Sequence, residues 1–398
     1  MLMLLLKILY FILLLYTGLS VFYLLIFAIL GIFPWKRKKP MKNKQNKFAV
    51  FIPAYKEDNI IYDTTKEILK QEYPVHLFDV IVIADSLQQK TLDDLNLLPI
   101  ILKEVSFEKS TKAKALNTAM ADLPENTYDV ALILDSDNIL APDFISKINE
   151  SFNSGYQVVQ GHRAAKNTEG FAILDAISEE VNNQIFSKGH RFIGLASRLA
   201  GSGMAISYQT YKNNMKSIDS IAEDKELELK LLKKGYIFEY RDDAICYDEK
   251  TASSKTFNHQ RTRWITSQYR YIRKDFLSAT LLLLTKGNFN YFDKAFQMIL
   301  PPRLILLGFL FFASLVSLLV SPNLYFFVWF GLFSAFLLSY AISIPKKFYS
   351  KQMIIAVMYL PKISLGIVIS LFKNKNENKT FNNTEHSIKS KDMDSKNK

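Results

Sequence analysis

VALILDSD, Val130 to Asp137, is five apolar residues running straight into two carboxylates. An apolar run of that length fits a strand buried on both faces. Two further runs resemble it, FAVFIPA at 48–54 and VIVIAD at 80–85, with helical patterns between them at Lys56 to Gln71 and at KAKALNTAMADL, 112–123. Apolar strands alternating with helices predict an α/β domain with a parallel sheet covered on both faces. In such sheets ligands bind beyond the carboxyl ends of the strands. The residues that close each run are therefore the informative ones: Tyr55 and Glu57, then Asp85, then Asp135 and Asp137.

Each of these has an ordinary structural reading beside a chemical one. Two carboxylates at i and i+2 past a strand end suit a hard divalent cation, Mg²⁺ or Mn²⁺, shared with substrate phosphates. The same pair also suits a turn, or the cap of a helix beginning in APDF at 141–144. Tyr55 can stack on a base or pack at a rim. Asp85 can accept from a ring N–H or cap a helix. Lys112 and Lys114 stand at a helix start, where a phosphate is favoured. AEDKELELKLLKKGY at 222–236 is an amphipathic helix closed by Gly235, with Glu223 and Asp224 in its first turn, where acidic residues are common dipole partners. GSGMAI at 201–206 sets Gly201 and Gly203 around Ser202, a turn that would let backbone approach a ligand or simply form a loop. In NHQRTRW, 258–264, a helix would put Gln260, Arg263 and Trp264 on one face and Arg261 on another. That face suits an anion beside a sugar ring, and equally a juxtamembrane helix facing phospholipid.

Around this block the chain is apolar. Ile8 to Trp35 is 28 residues without a charge, which reads as an N-terminal transmembrane anchor over 1–35. A second uncharged run, Leu304 to Pro345, is broken by Ser321-Pro322-Asn323 into a helical hairpin. A third, Gln352 to Phe372, is interrupted by Pro361-Lys362 and fits a span, a re-entrant segment or an interfacial helix. The expected layout is thus a basic juxtamembrane linker at 36–47, a soluble domain at 48–273, interfacial helices at 274–303, two or three spans within 304–372, and a disordered polar tail at 373–398.

The net charge is +12, and seven of the twelve residues from Lys36 to Lys47 are Lys or Arg. That cluster is the positive-inside signal, which puts the soluble domain of this multi-pass chain in the cytoplasm, and the expected membrane is the bacterial inner membrane. No zinc pattern or RNA-binding signature accompanies the charge, so nucleic acid is not an expected partner. The single cysteine, Cys246, excludes an internal disulfide.

The order FIPAYKED, VIADS, KAKALN, LILDSDN, GSGMAI, AEDKELELKL and NHQRTRW, followed by apolar helices, resembles the membrane-bound inverting family 2 glycosyltransferases, the group of cellulose, hyaluronan and poly-N-acetylglucosamine synthases. The resemblance implies a GT-A nucleotide-binding sheet flanked by transmembrane helices. It implies a nucleotide site of Pro53, Tyr55, Glu57, Asp85, Lys112 and Asp135, with Tyr55 flanking the base and Asp85 reading uracil. Asp135 and Asp137 would hold Mg²⁺ or Mn²⁺. Asp224 would be the catalytic base, with Glu223 beside it. Gly201, Ser202, Gln260, Arg261, Arg263 and Trp264 would line the donor, acceptor and pyrophosphate. The implied donor is a UDP-sugar. The implied acceptor is a growing glycan, or alternatively a lipid-linked sugar. The membrane part is smaller than that of the chain-secreting synthases, so a pore would need an oligomer or an accessory subunit. A reading from another class, a non-catalytic membrane scaffold, is disfavoured because Asp85, Asp135, Asp137 and Asp224 are all present.

Overall fold

The structure, a computed structural model, describes residues 1–220, 222–250, 254–320, 324–360 and 363, with backbone alone for 254–267 and 269. Eight strands form one sheet: β1 Phe48–Tyr55, β2 Phe78–Asp85, β3 Ile101–Val105, β4 Val130–Ile133, β5 Ile139–Leu140, β6 Val158–Ala165, β7 Met204–Ser207 and β8 Phe238–Asp248. Their order is β3-β2-β1-β4-β7-β6-β8-β5.

The half containing β3, β2, β1 and β4 is parallel, as the apolar runs predict. Its strands bury both faces. Ala49 and Phe51, Ile81 and Ile83, and Ala131 and Ile133 enter one core. Phe48, Val50 and Ile52, Val80 and Val82, and Val130 and Leu132 enter the other. This is the period of two that a pleated strand imposes. Each fully buried Val, Ile, Leu or Phe side chain contributes about 1.5–3 kcal/mol.

The other half corrects the expectation of a parallel sheet. β7 runs antiparallel to both β4 and β6, β8 runs parallel to β6, and β5 runs antiparallel to β8. The reason is visible in composition. VVQGHRAA and FEYRDDAICYD interleave charged and apolar residues, so no continuous apolar run marks them as strands.

Among the described residues, three helices are long and apolar enough to cross a membrane by length and composition: Leu2–Leu30, Arg303–Val320 and Leu324–Ser343. The turn at 321–323, most of 361–372 and the tail lie outside the described residues. The first helix joins the soluble domain through a third core. Val21, Leu24, Phe27 and Ala28 pack with Ile173, Ile177, Val181 and Ile185, and with Leu306, Leu310 and Trp329. Their partner is a helical stretch from Ala172 to Phe192, absent from the sequence expectations, with a π-helical turn at Gln184–Gly189. Gly189 sits against the Phe27 carbonyl and Gly31 against Gln184, approaches that a Cβ would block.

The basic linker is also more than a lipid-facing segment. Arg37 pairs with Asp242 and Asp243, Lys44 with Asp129, and Lys47 with Asp79. Trp35 Nε1 donates to Glu239 at 3.1 Å. Much of the 36–47 charge is thus a strap on the domain surface.

Candidate active site

The strand order reverses between β1 and β4, since the chain runs outward from β1 to β3 and then returns to β4 on the opposite side. A crevice forms at such a reversal. Register sets its rim: Tyr55 pairs with Asp85 across β1 and β2, and Phe51 with Ile133 across β1 and β4, so Asp135 emerges beside the end of β1. Lys56 and Ser86, the residues directly after these strand ends, both adopt positive φ, 56° and 58°. That conformation costs a non-glycine residue about 1–2 kcal/mol. It turns the chain sharply at both ends, and Lys56 N–H donates to the Asp85 carbonyl at 3.1 Å. Asp85 is buried, and Ser86 Oγ donates to its carboxylate at 3.0 Å. Tyr55 and Glu57 are half-buried on the rim, and Pro53 lies two residues short of it, opposite Ile83.

Lys112 joins two parts of the site. Thr111 caps its helix by accepting from Lys114 N–H. The Lys112 ammonium lies 2.5 Å from Asp135 Oδ1, donates to the Gly201 carbonyl at 2.8 Å, and stands 3.9 Å from Glu223 Oε1. Burial opposes its charge, but the Asp135 and Glu223 carboxylates prevail and raise its pKa above the usual lysine value. Glu223 shows the reverse balance. Burial pushes its carboxyl up to about 7, Lys112 pulls it down, and the neighbouring Asp224 pushes it further up. Asp224 is half-buried in the first turn of the helix Glu223–Lys233. Its carboxylate lies against Gly201, whose φ of 74° leaves room for it where a Cβ would stand 3.2 Å from Oδ2. Asp135, Lys112, Gly201, Glu223 and Asp224 therefore form one connected cluster at the mouth of the crevice.

Ser202 is a correction. It has no exposed surface and does not line the ligand space. Its hydroxyl donates to Asn138 Oδ1 and accepts from Asp135 N–H at 3.0 Å. Asn138, fully buried and absent from the sequence expectations, accepts from the same Asp135 N–H at 3.0 Å. The pair fixes the backbone from which the Asp135 carboxylate projects. The only advance sign of it was that Asn138 directly follows DSD.

Asp137 is buried, and its carboxylate accepts from Glu249 N–H at 2.8 Å and from the Asn138 amide at 3.3 Å. Among the described residues no group of three or more His, Cys, Asp or Glu side chains could hold a metal ion. Two carboxylates with the rest of the shell from diphosphate and water still suit Mg²⁺ or Mn²⁺. The ammonium already on Asp135 marks that carboxylate as a place for positive charge. Gln260, Arg261, Arg263 and Trp264 fall in the helix Ser254–Lys286, but their side chains lie outside the described residues.

The sequence profile described as "Glycosyltransferase like family 2" matches residues 45–267, more than half of the chain. The chain belongs to this family. The matched stretch is accordingly a glycosyltransferase domain of the sugar-nucleotide-dependent kind, and its sheet is the GT-A-like open mixed sheet just described. Among curated relatives, the chain is 24% identical over 262 residues to a probable glycosyltransferase, YdaM, of Bacillus subtilis (strain 168). It is 26% identical over 266 residues to an N-acetylglucosaminyltransferase of Rhizobium meliloti (strain 1021). These alignments take in 60% and 62% of this chain, and only 59% and 61% of the relatives. Among solved structures, the mannosyltransferase PcManGT from Pyrobaculum calidifontis, in complex with GDP-Man and Mn²⁺, superposes with a TM-score of 0.54. That likeness covers 91% of this chain and 96% of the other at 16% identity, and it concerns the fold alone.

Proposed function

We propose that the chain is a membrane-seated, inverting β-glycosyltransferase that moves a sugar from a UDP-sugar to a growing surface polysaccharide, with its catalytic domain in the cytoplasm. The observation that carries this reading is the connected cluster of Asp135, Lys112, Gly201, Glu223 and Asp224 at the strand-order reversal, with Tyr55 and Asp85 on the same rim. Tyr55 and Asp85 hold the uracil. Lys112 and Arg263 offer positive charge to the diphosphate, which gains negative charge as it departs, so they favour the transition state over the ground state. Asp224 accepts the proton of the acceptor hydroxyl as that oxygen attacks the anomeric carbon from the face opposite UDP. One displacement inverts configuration, and an α-linked donor gives a β-linked product. Trp264 covers the apolar face of the acceptor sugar. Mg²⁺ or Mn²⁺ on Asp135 and Asp137 would supply charge neutralisation at the diphosphate.

A second reading, transfer of a single sugar to a lipid-linked acceptor, is favoured by the small membrane part, three candidate spans among the described residues. UDP release from membranes carrying the chain, across a panel of UDP-sugars with Mn²⁺ or Mg²⁺, tests both. Release with one sugar, reduced about 10³-fold in Asp224→Asn while UDP binding persists, is the expected result. Product size then separates polymer from single transfer. Normal turnover by Asp224→Asn would overturn the base assignment.

A further inference from the structure

The helix Phe289–Ile299 lies between the N-terminal helix and the helix that begins with Glu223 and Asp224. On one side, the Tyr23 hydroxyl donates to Asp293 at 2.7 Å and the Tyr16 hydroxyl donates to the Ile299 carbonyl at 2.7 Å. On the other, Asn288 donates to the Leu232 carbonyl at 2.9 Å, and Asn290 Oδ1 accepts from Ala196 N–H at 2.6 Å. Between these contacts the Lys294 ammonium meets Glu228 Oε1 at 2.8 Å. Glu228 has no exposed surface. It also accepts from Leu199 N–H at 2.8 Å and from the Lys225 ammonium at 3.1 Å, and Lys225 in turn donates to the Leu199 carbonyl at 3.0 Å.

The placement of this one carboxylate is unusual in what it joins. Glu228 follows Asp224 by four residues, so the two share a helix face. Leu199 stands two residues before Gly201, which packs on Asp224 and receives Lys112 through its carbonyl. Glu228 therefore ties the base-bearing helix to the loop that forms the other wall of the same site. Burial alone would raise its carboxyl, but the ammonium groups of Lys225 and Lys294 outweigh burial and hold it at about 2. The carboxyl is thus held as an anion, while burial and the neighbouring Lys225 lower the pKa of the Lys294 ammonium and Glu228 raises it.

We propose that Glu228 and Lys294 are positioning residues for Asp224, holding the first turn of its helix in register with the 195–203 loop and linking that register to the helix seated on the membrane anchor. The proposal rests on the reading of Asp224 as the base. An ion pair that served as structural glue would change stability and leave the chemistry of folded enzyme intact. A positioning pair changes turnover far more than donor binding, because Tyr55 and Asp85, on β1 and β2, lie outside the loop and helix that the pair joins.

The test uses the full chain in lipid nanodiscs, as wild type and as Lys294→Met, Glu228→Gln and Lys294→Arg. Two quantities are measured: kcat and KM for the donor, and amide hydrogen exchange across 223–229, 199–203 and 48–55. Both charge-removing variants should lose about 10²-fold in kcat, as a misplacement near 1 Å does, with donor KM and Mn²⁺-UDP affinity within about threefold of wild type. Exchange should quicken over 223–229 and 199–203 and stay unchanged over 48–55. Lys294→Arg, which keeps the charge, should recover most of kcat. Unchanged kcat and exchange in both charge-removing variants would overturn the proposal, as would a parallel loss of kcat and donor affinity with exchange rising in 48–55. If Lys294→Met does not accumulate as folded protein, Glu228→Gln, which keeps side-chain shape, is read by the same criteria. Wild type that turns over no UDP-sugar would instead defeat the functional reading, and the exchange comparison would still decide whether the pair holds the helix.

Discussion

The two walls of the crevice are built in different ways. Tyr55 and Asp85 end neighbouring strands, and sheet register sets their spacing, while Asp135 follows β4 by two residues with its backbone held by Ser202 and Asn138. The opposite wall, Leu195 to Gly203 with the first turn of the 223–233 helix, contains no strand and ends where β7 begins. It is held by side chains reaching in from elsewhere. Arg191 donates to the Leu195 carbonyl at 2.8 Å and pairs with Glu239 at 3.0 Å. Gln160 Oε1 accepts from Ala200 N–H at 3.0 Å, and Glu228 accepts from Leu199 N–H. One wall inherits its geometry from the backbone ladder. The other depends on a few buried polar groups, each of which is costly to leave unpaired.

That contrast can be broken by mutation. The largest effect is expected at Arg191→Met, which strands the buried Glu239 carboxylate. It should destabilise the protein by about 3–5 kcal/mol, read by denaturant unfolding in detergent. A loss under 1 kcal/mol would mean that the second wall does not depend on that pair. On the strand-built wall, Asp135→Asn should cost less stability than Arg191→Met, because Glu223 and the Gly201 carbonyl still face Lys112, and weaken Mn²⁺-dependent UDP binding by about 10²-fold, measured calorimetrically. Equal loss of stability and binding would erase the distinction between the walls. The smallest effect concerns Glu223. Its folded pKa of about 7 lies above the unfolded value of about 4.3, so the native state holds the extra proton between those limits. Stability is then greatest below about pH 4 and falls as pH rises toward 7. Glu223→Gln has no such fall. It should melt a few degrees above wild type at pH 8, with the gap closing toward pH 4. A gap that stays constant with pH would rule out the raised carboxyl.

The same contrast explains how much the sequence disclosed. The parallel half of the sheet was legible because strands buried on both faces must be continuously apolar, and FAVFIPA, VIVIAD and VALIL are. The residues ending those runs fell on one rim for the same reason. The amphipathic helix with Glu223 and Asp224 was legible from its period and its closing Gly235, whose φ is 87°. Asn138, Glu228, Lys294 and Arg191 were not. Their roles come from partners 29 to 66 residues away in the pairs Leu199–Glu228, Glu228–Lys294 and Asn138–Ser202, and no local period encodes such meetings. The burial of Ser202 was hidden for a related reason: its partners Asn138 and Asp135 lie 64 and 67 residues away. The antiparallel half was missed because polar residues interrupt β6 at Gln160 to Arg163 and β8 at Glu239 and Arg241 to Asp243, leaving no continuous apolar run.

The seam between the first helix and the rest of the chain has a consequence for biosynthesis. Tyr23 finds its carboxylate partner 270 residues later, at Asp293, and Phe27 stacks on His190 with ring centroids 3.9 Å apart. At about 5–20 residues per second, the ribosome needs about 14–54 s to reach Asp293 after Tyr23, while His190, which also meets the Tyr23 hydroxyl at 2.9 Å, comes 167 residues after it. Until His190 is made, the Tyr23 hydroxyl has neither partner, whereas the Thr17 and Ser20 hydroxyls already donate to carbonyls of their own helix. The seam therefore closes in two stages of synthesis, first against the 172–192 stretch and last against the Phe289–Ile299 helix.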